Sequence, residues 1–243
     1  MNHPLTGVSY FFAGFGLIFK PGLKRFVAIP VMINVLLFVG LFFLLNHFTA
    51  LFNHWFEAYL PAWLHWLGAI IWILFFLSFL MVFVYAFAAI TNIIAAPFNG
   101  LLAEKVEFYL TGKLHAQQQG FVANMKAIPR SIGRQFAILG YYLPRALLLL
   151  LLFLIPVVHL AAPFLWFIFN AWFMALTYID YPTDNHRVDL QEVRQWLTAH
   201  RLTSYGFGIS VLIVTMIPVV NFFVVPAAVA GATKFWLNES RTV

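Results

Sequence analysis

Four stretches of the chain carry no Asp, Glu, Lys or Arg: 26–45, 58–103, 146–179 and 202–233. A soluble core has no use for charge-free runs of this length, so lipid must cover much of the apolar surface. The composition agrees, with 63% of the 243 residues apolar and 9% charged, against roughly 45–50% and about 25% in soluble domains. The whole chain, 1–243, is therefore read as a single all-α integral membrane domain.

The segments differ in how they meet the bilayer. Residues 4–19 hold three glycines and extend at most about 24 Å as a helix, short of the roughly 30 Å of a hydrocarbon core. An interfacial helix over 4–20 fits better, and it should stop before Pro21-Gly22. No Lys or Arg precedes its apolar part, so it is not read as a signal peptide. Residues 24–46 form transmembrane helix 1, with Pro30 tolerated in the first turns. Residues 47–66 carry His47, His54, His65, several Trp and Tyr side chains and one acid, Glu57, the composition of an extracytoplasmic interface loop. Transmembrane helix 2 follows over 67–103, and Thr91, Asn92 and Pro97-Phe98-Asn99-Gly100 mark where it bends or frays. The stretch 104–145 holds six basic residues against two acids and reads as amphipathic helices at the interface or in water.

The C-terminal half repeats itself. Ile155-Pro156-Val157-Val158-His159 is echoed by Ile217-Pro218-Val219-Val220-Asn221, and each apolar stretch has a second proline, Pro163 and Pro226. This predicts two Pro-broken, partly penetrating hairpins, 146–179 and 202–238, joined by a cytoplasmic helix within 180–201. Two kinked single spans are the alternative. Hairpins place all 14 Lys and Arg on one side with both termini cytoplasmic, which the positive-inside rule favours. Broken backbone at depth must be buried in protein or face water, which argues for an oligomer around a hydrated path.

Candidate functional residues cluster where one helix stops and the next starts, at Lys20-Pro21-Gly22-Leu23-Lys24-Arg25. The opening turn of a helix presents unpaired N–H groups and a partial positive charge, and Gly22 lets the backbone approach a ligand. Lys24 and Arg25 add two cations, which suits a tetrahedral dianion; the competing reading is that they only snorkel and set topology. A second basic set, Lys126, Arg130, Arg134 and Arg145, falls on one arc of a helix and could either funnel anions or face headgroups. Asn34, Asn92 and Asn99 are candidates for a wet pathway, and Glu104 and Glu107 for gating or ion-pair elements. The loop Asp180–Arg187 holds oxygen and imidazole groups, but its spacing matches no metal template, and Asp189 with Glu192 reads as a helix start. A metal-dependent enzyme using Asp180, Asp184 and His186 ranks last, and no catalytic or nucleotide motif is present. With no cysteine, thiol chemistry is excluded; no cofactor and no metal are expected, and the scattered basic residues argue against nucleic acid.

Three local sequences, Pro21-Gly22-Leu23-Lys24-Arg25-Phe26, Ala95-Ala96-Pro97-Phe98-Asn99-Gly100-Leu101-Leu102-Ala103-Glu104 and Tyr178-Ile179-Asp180-Tyr181-Pro182, together resemble the CysZ family of bacterial sulfate permeases over essentially the whole chain. The resemblance implies high-affinity sulfate uptake for cysteine biosynthesis at the bacterial inner membrane, without ATP, by a multi-pass homo-oligomer of two-span protomers. Sulfite, thiosulfate and other oxyanions are related substrates by chemistry, and membrane lipids are the surroundings. It further implies that the family's Gly-Leu-Arg-Arg turn binds sulfate, which maps onto Gly22, Leu23, Lys24 and Arg25. Here Lys24 keeps the charge but loses the two-pronged guanidinium. A non-transporting membrane scaffold that recruits a cytoplasmic partner is the alternative function.

Overall fold

The computed structural model describes residues 2–59, 65–113 and 120–240. All regular structure among them is helical: α1 (Pro4–Ile18), α2 (Lys24–Tyr59), α3 (His65–Thr111), α4 (Gly120–Leu152), α5 (Ala162–Asn185), α6 (Leu190–Ala199), α7 (Arg201–Thr215) and α8 (Pro218–Ser240), with a 3-10 turn at Val158–Leu160. Contacts divide the chain into two units, Ala28–Ala95 on the one hand and Met1–Val27 with Ala96–Val243 on the other.

The unit Ala28–Ala95 is a pair of helical segments held by rings. Phe52 stacks on Phe75 with centroids 4.1 Å apart, Phe48 meets Phe79, Phe38 meets Phe83, and Trp72 Nε1 donates to Asn53 Oδ1 at 3.1 Å. These pairings run antiparallel. Leu36, Phe43, Leu74, Leu77 and Val82 stay more than half exposed, which water would penalise and lipid would not. The expectation of an interface loop over 47–66 is corrected for its described part: α2 continues to Tyr59, and α3 starts at His65. His, Trp and Tyr report headgroup depth, but helical hydrogen bonds are local and persist at that depth, so composition did not reveal the backbone.

The larger unit is built on close helix contact. Small residues let backbones approach where lipid offers no hydrophobic drive between helices. On α1, a side chain at Gly7 would fall inside van der Waals contact of the Thr203 carbonyl on α7, and one at Gly14 inside that of the Ala227 carbonyl on α8. Phe11 and Ile18 are fully buried between them, with Phe207 and Phe235. The opening helix, expected only as an interfacial segment, thus has protein on two sides. Its start is pinned by side chains: Asn2 Oδ1 accepts from the Leu202 and Thr203 amides, capping α7, while His3 Nδ1 accepts from Leu5 N.

Prolines shape the rest in two ways. After Leu152 the helix stops ahead of Pro156, Val157 takes φ 71°, and α5 resumes at Ala162 with Pro163 in its first turn. The second repeat breaks between Thr215 and Pro218. Pro97 and Pro182, by contrast, lie inside α3 and α5. Helical φ suits proline, and the long flanking turns carry the helix through the lost hydrogen bond and the ring's clash with the preceding turn. Hence the bend expected near Asn92–Gly100 does not end α3, and the helix reaches Thr111.

The loop expected over Asp180–Arg187 is likewise the end of α5. It closes with Arg187 N bonded to Asp184 O and Val188 N to Thr183 O, Arg187 standing at φ 58°. This is a Schellman cap with arginine where glycine is usual, a residue choice that hides the helix end from sequence. Asp189 does precede α6, although its side chain makes no cap hydrogen bond. Among the described residues four segments, Val35–Trp55, Gly133–Leu152, Ala162–Asn185 and Val220–Ser240, are long and apolar enough to cross a membrane.

Candidate functional site

Two polar constellations stand out in the larger unit. The first is the connection between α1 and α2. Lys20 O accepts from Leu23 N at 3.1 Å, Pro21 fills the second position and Gly22 the third at φ 87°. Proline followed by a positive-φ glycine is a type II turn. Leu23, 3% exposed, anchors it in the core together with Val27. Nothing lies within 4 Å of the space in front of Gly22, so here glycine serves the dihedral and leaves that face open. Lys24 and Arg25 open α2 and are exposed. The Arg25 guanidinium lies 5.1 Å from the Phe26 ring, and among the described residues no carboxylate pairs with either cation. Free amides at a helix start, an open glycine and two unpaired cations together make an anion-receptive surface.

The second constellation joins α3, α4 and α5. Arg130 and Arg134, one turn apart on α4, face Asp180 and Asp184, one turn apart on α5. Arg134 Nε donates to Asp180 Oδ1 at 2.7 Å, its Nη1 to the Val188 carbonyl, and Nη1 also lies 3.7 Å from Asp184 Oδ1. Arg130 Nη2 donates to Asp184 O at 2.8 Å and sits 3.2 Å from Oδ1, while Ser131 Oγ donates to Oδ2 at 2.9 Å. The inner pair is buried, with side chains 12% and 3% exposed. Next to it, His186 Nε2 lies 2.9 Å from Glu107, Asn185 Nδ2 donates to the Gly100 carbonyl, and Asn99 Nδ2 donates to Tyr181 Oη. Glu104 is 2% exposed and 3.4 Å from Lys105 Nζ.

The structure therefore brings together Asn99, Glu107, Arg130 and Arg134, and it does so through partners that the motif reading had set aside. Asp180 and Asp184, which the sequence offers as metal or catalytic groups, are the counter-ions of the basic stripe, and His186 is the hydrogen-bond partner of Glu107. At those positions the stripe is neutralised, which removes the field that would funnel anions there. A signal was available: Asp180 and Asp184 have the same four-residue spacing as Arg130 and Arg134, and opposed one-turn pairs on two helices match in register. The side chains of Asn34, Asn92 and Lys126 lie outside the described residues.

Comparison with known proteins supplies what geometry alone does not. The family model described as sulfate transporter CysZ/etoposide-induced protein 2.4 matches residues 10–226. A sulfate transporter CysZ of Pectobacterium atrosepticum is 45% identical over 246 aligned positions, which cover 100% of this chain and 88% of the relative. Neither description names a catalytic activity.

Proposed function

The chain belongs to the sulfate transporter CysZ/etoposide-induced protein 2.4 family, and on that premise we propose that it takes up sulfate across the bacterial inner membrane to supply cysteine biosynthesis. It is a membrane protein and not an enzyme. The observation that carries the reading is relatedness along the full length to a sulfate transporter. Uptake proceeds without ATP hydrolysis, through a homo-oligomeric channel or permease, and membrane lipids are its other partners. The exposed apolar turn between α4 and α5, where Leu154 and Val157 are each 78% exposed and Leu160 67%, supports a need for cover from lipid or from neighbouring protomers.

Sulfate is received at Gly22, Leu23, Lys24 and Arg25. The type II turn supports this assignment because it holds an open glycine face beside two cations that no carboxylate pairs with among the described residues, one of them a guanidinium able to bind two oxygens at once. Arg130 and Arg134 belong instead to the ion-pair scaffold that joins α4 to α5, with the Glu107–His186 hydrogen bond tying in α3 and Asn99 and Glu104 beside it. Asn34 and Asn92 remain candidates for a wet pathway.

Flux of labelled sulfate into proteoliposomes tests the reading. Uptake above empty liposomes, without nucleotide, is expected, with competition from pyramidal sulfite and from thiosulfate and other tetrahedral oxyanions of similar size. Absence of uptake under conditions in which the Pectobacterium relative works would move the protein to the scaffold reading. Replacing Lys24→Ala and Arg25→Ala together is expected to abolish binding at the turn while leaving membrane insertion intact.

A further inference from the structure

Tyr141 lies on α4 and Arg145 one turn beyond it. The Arg145 guanidinium carbon stands 3.9 Å from the Tyr141 ring centroid, and its Nη1 donates to the Tyr141 carbonyl at 2.8 Å. From α6, Arg194 brings its own guanidinium carbon to 5.0 Å from the same centroid. Two cations thus share one ring. Stacking on an aromatic face is a common guanidinium arrangement, and the ring quadrupole attracts each of them.

What distinguishes this pair is the missing counter-charge. Earlier on the same helix, Arg130 and Arg134 are each matched to an aspartate. Among the described residues no carboxylate pairs with Arg145 or Arg194, and Arg194 Nε is buried without an acceptor. Like charges gathered on one ring repel each other, and a buried donor without an acceptor is costly. Arg145 also falls inside Gly133–Leu152, an apolar segment fit to cross a membrane, where a charge marks a functional position by default. A ligand that removes both penalties must be anionic and must offer several acceptor oxygens to two planar forks. A tetrahedral oxyanion does so, and the Tyr141 ring sets the separation of the two forks.

We propose that Arg145 and Arg194, held against Tyr141, form a second binding site for a tetrahedral oxyanion, distinct from the turn at Gly22. The oxyanion is either free sulfate or the phosphate of an anionic lipid headgroup, which present the same oxygens. The site stands on its own geometry whether or not the turn binds sulfate.

The experiment uses the full chain with Lys24→Ala and Arg25→Ala, so that the turn contributes nothing. Equilibrium dialysis with labelled sulfate in neutral detergent probes the free anion, and native mass spectrometry after incubation with phosphatidylglycerol or phosphatidylcholine probes the lipid. Adding R145Q and R194Q is expected to weaken binding of one of the two ligands about tenfold or more, as loss of two charge-assisted forks implies. Loss of sulfate identifies the free anion, and selective loss of phosphatidylglycerol identifies the headgroup. Tyr141→Phe, which keeps the ring, should bind as before, and Tyr141→Leu should bind more weakly. Should the glutamine variant fail to give a monodisperse protein, R145K with R194K keeps the charge and removes the forks, and a several-fold weakening is expected. Unchanged sulfate and unchanged phosphatidylglycerol binding in these variants overturns the proposal, as does a parent protein that binds neither.

Discussion

Replacing Asp180 by alanine is the sharpest test of whether Arg134 holds the fold or lines a path. The Arg134 side chain is 12% exposed and that of Asp180 3%, joined by a 2.7 Å bond from Nε. Removing one partner of a buried ion pair costs roughly 3–5 kcal/mol, because a desolvated charge is left behind. Here Asp184 Oδ1 remains 3.7 Å from Nη1 and offsets part of that, so the lower end, about 3 kcal/mol, is expected. For a chain of this size that corresponds to a fall in apparent Tm of roughly 6–12 °C, read as loss of the monodisperse gel-filtration peak after heating in detergent. The double variant Asp180→Leu with Arg134→Met removes both charges and should recover at least half of the loss, since an apolar pair of similar volume avoids the desolvation cost. A single variant melting within about 2 °C of the parent, or a double variant no better than the sum of the singles, would refute the scaffold role.

The turn and the helix contacts can be probed in the same assay. Gly22→Ala forces an L side chain to φ 87°, at a cost of about 1–2 kcal/mol or a shifted turn; sulfate affinity should drop while Gly22→Asn, which tolerates positive φ, loses less. Gly14→Leu places a side chain where the Ala227 carbonyl stands, so it should abolish the monodisperse protein, whereas Gly16→Leu, where nothing lies within 4 Å, should not. Phe52→Ala deletes a ring stacked at 4.1 Å, and with ring stacking worth about 0.5–1.5 kcal/mol beyond burial, a lower Tm with full sulfate binding at the turn is expected.

Much of the geometry of the candidate site was legible because its signals are local. Pro21-Gly22 dictates a type II turn through two dihedrals, and Lys24 and Arg25 follow in chain order, so no knowledge of the fold was needed to place them beside it. The second constellation was not legible in this way. Arg134 and Asp180 are 46 positions apart, and each side chain taken alone supports a different story, a funnel for the arginine and a ligand for the aspartate. Arg187 at the helix end was hidden for another reason: a Schellman cap needs only positive φ, which glycine announces and arginine does not.

Charge-free runs settle that the chain lives in lipid, because desolvating so few charges and so much apolar surface has no soluble solution. Proline and glycine spacing sets where it can turn. Which helices touch was decided only in three dimensions. The α1 glycines read from sequence as a weak, short helix, and became the seats for the Thr203 and Ala227 carbonyls; Arg130 and Arg134 read as an open basic stripe and became half of a neutral ladder. Contacts between distant segments depend on how backbones approach, and an amino-acid pattern that fixes local dihedrals and hydropathy does not specify that approach.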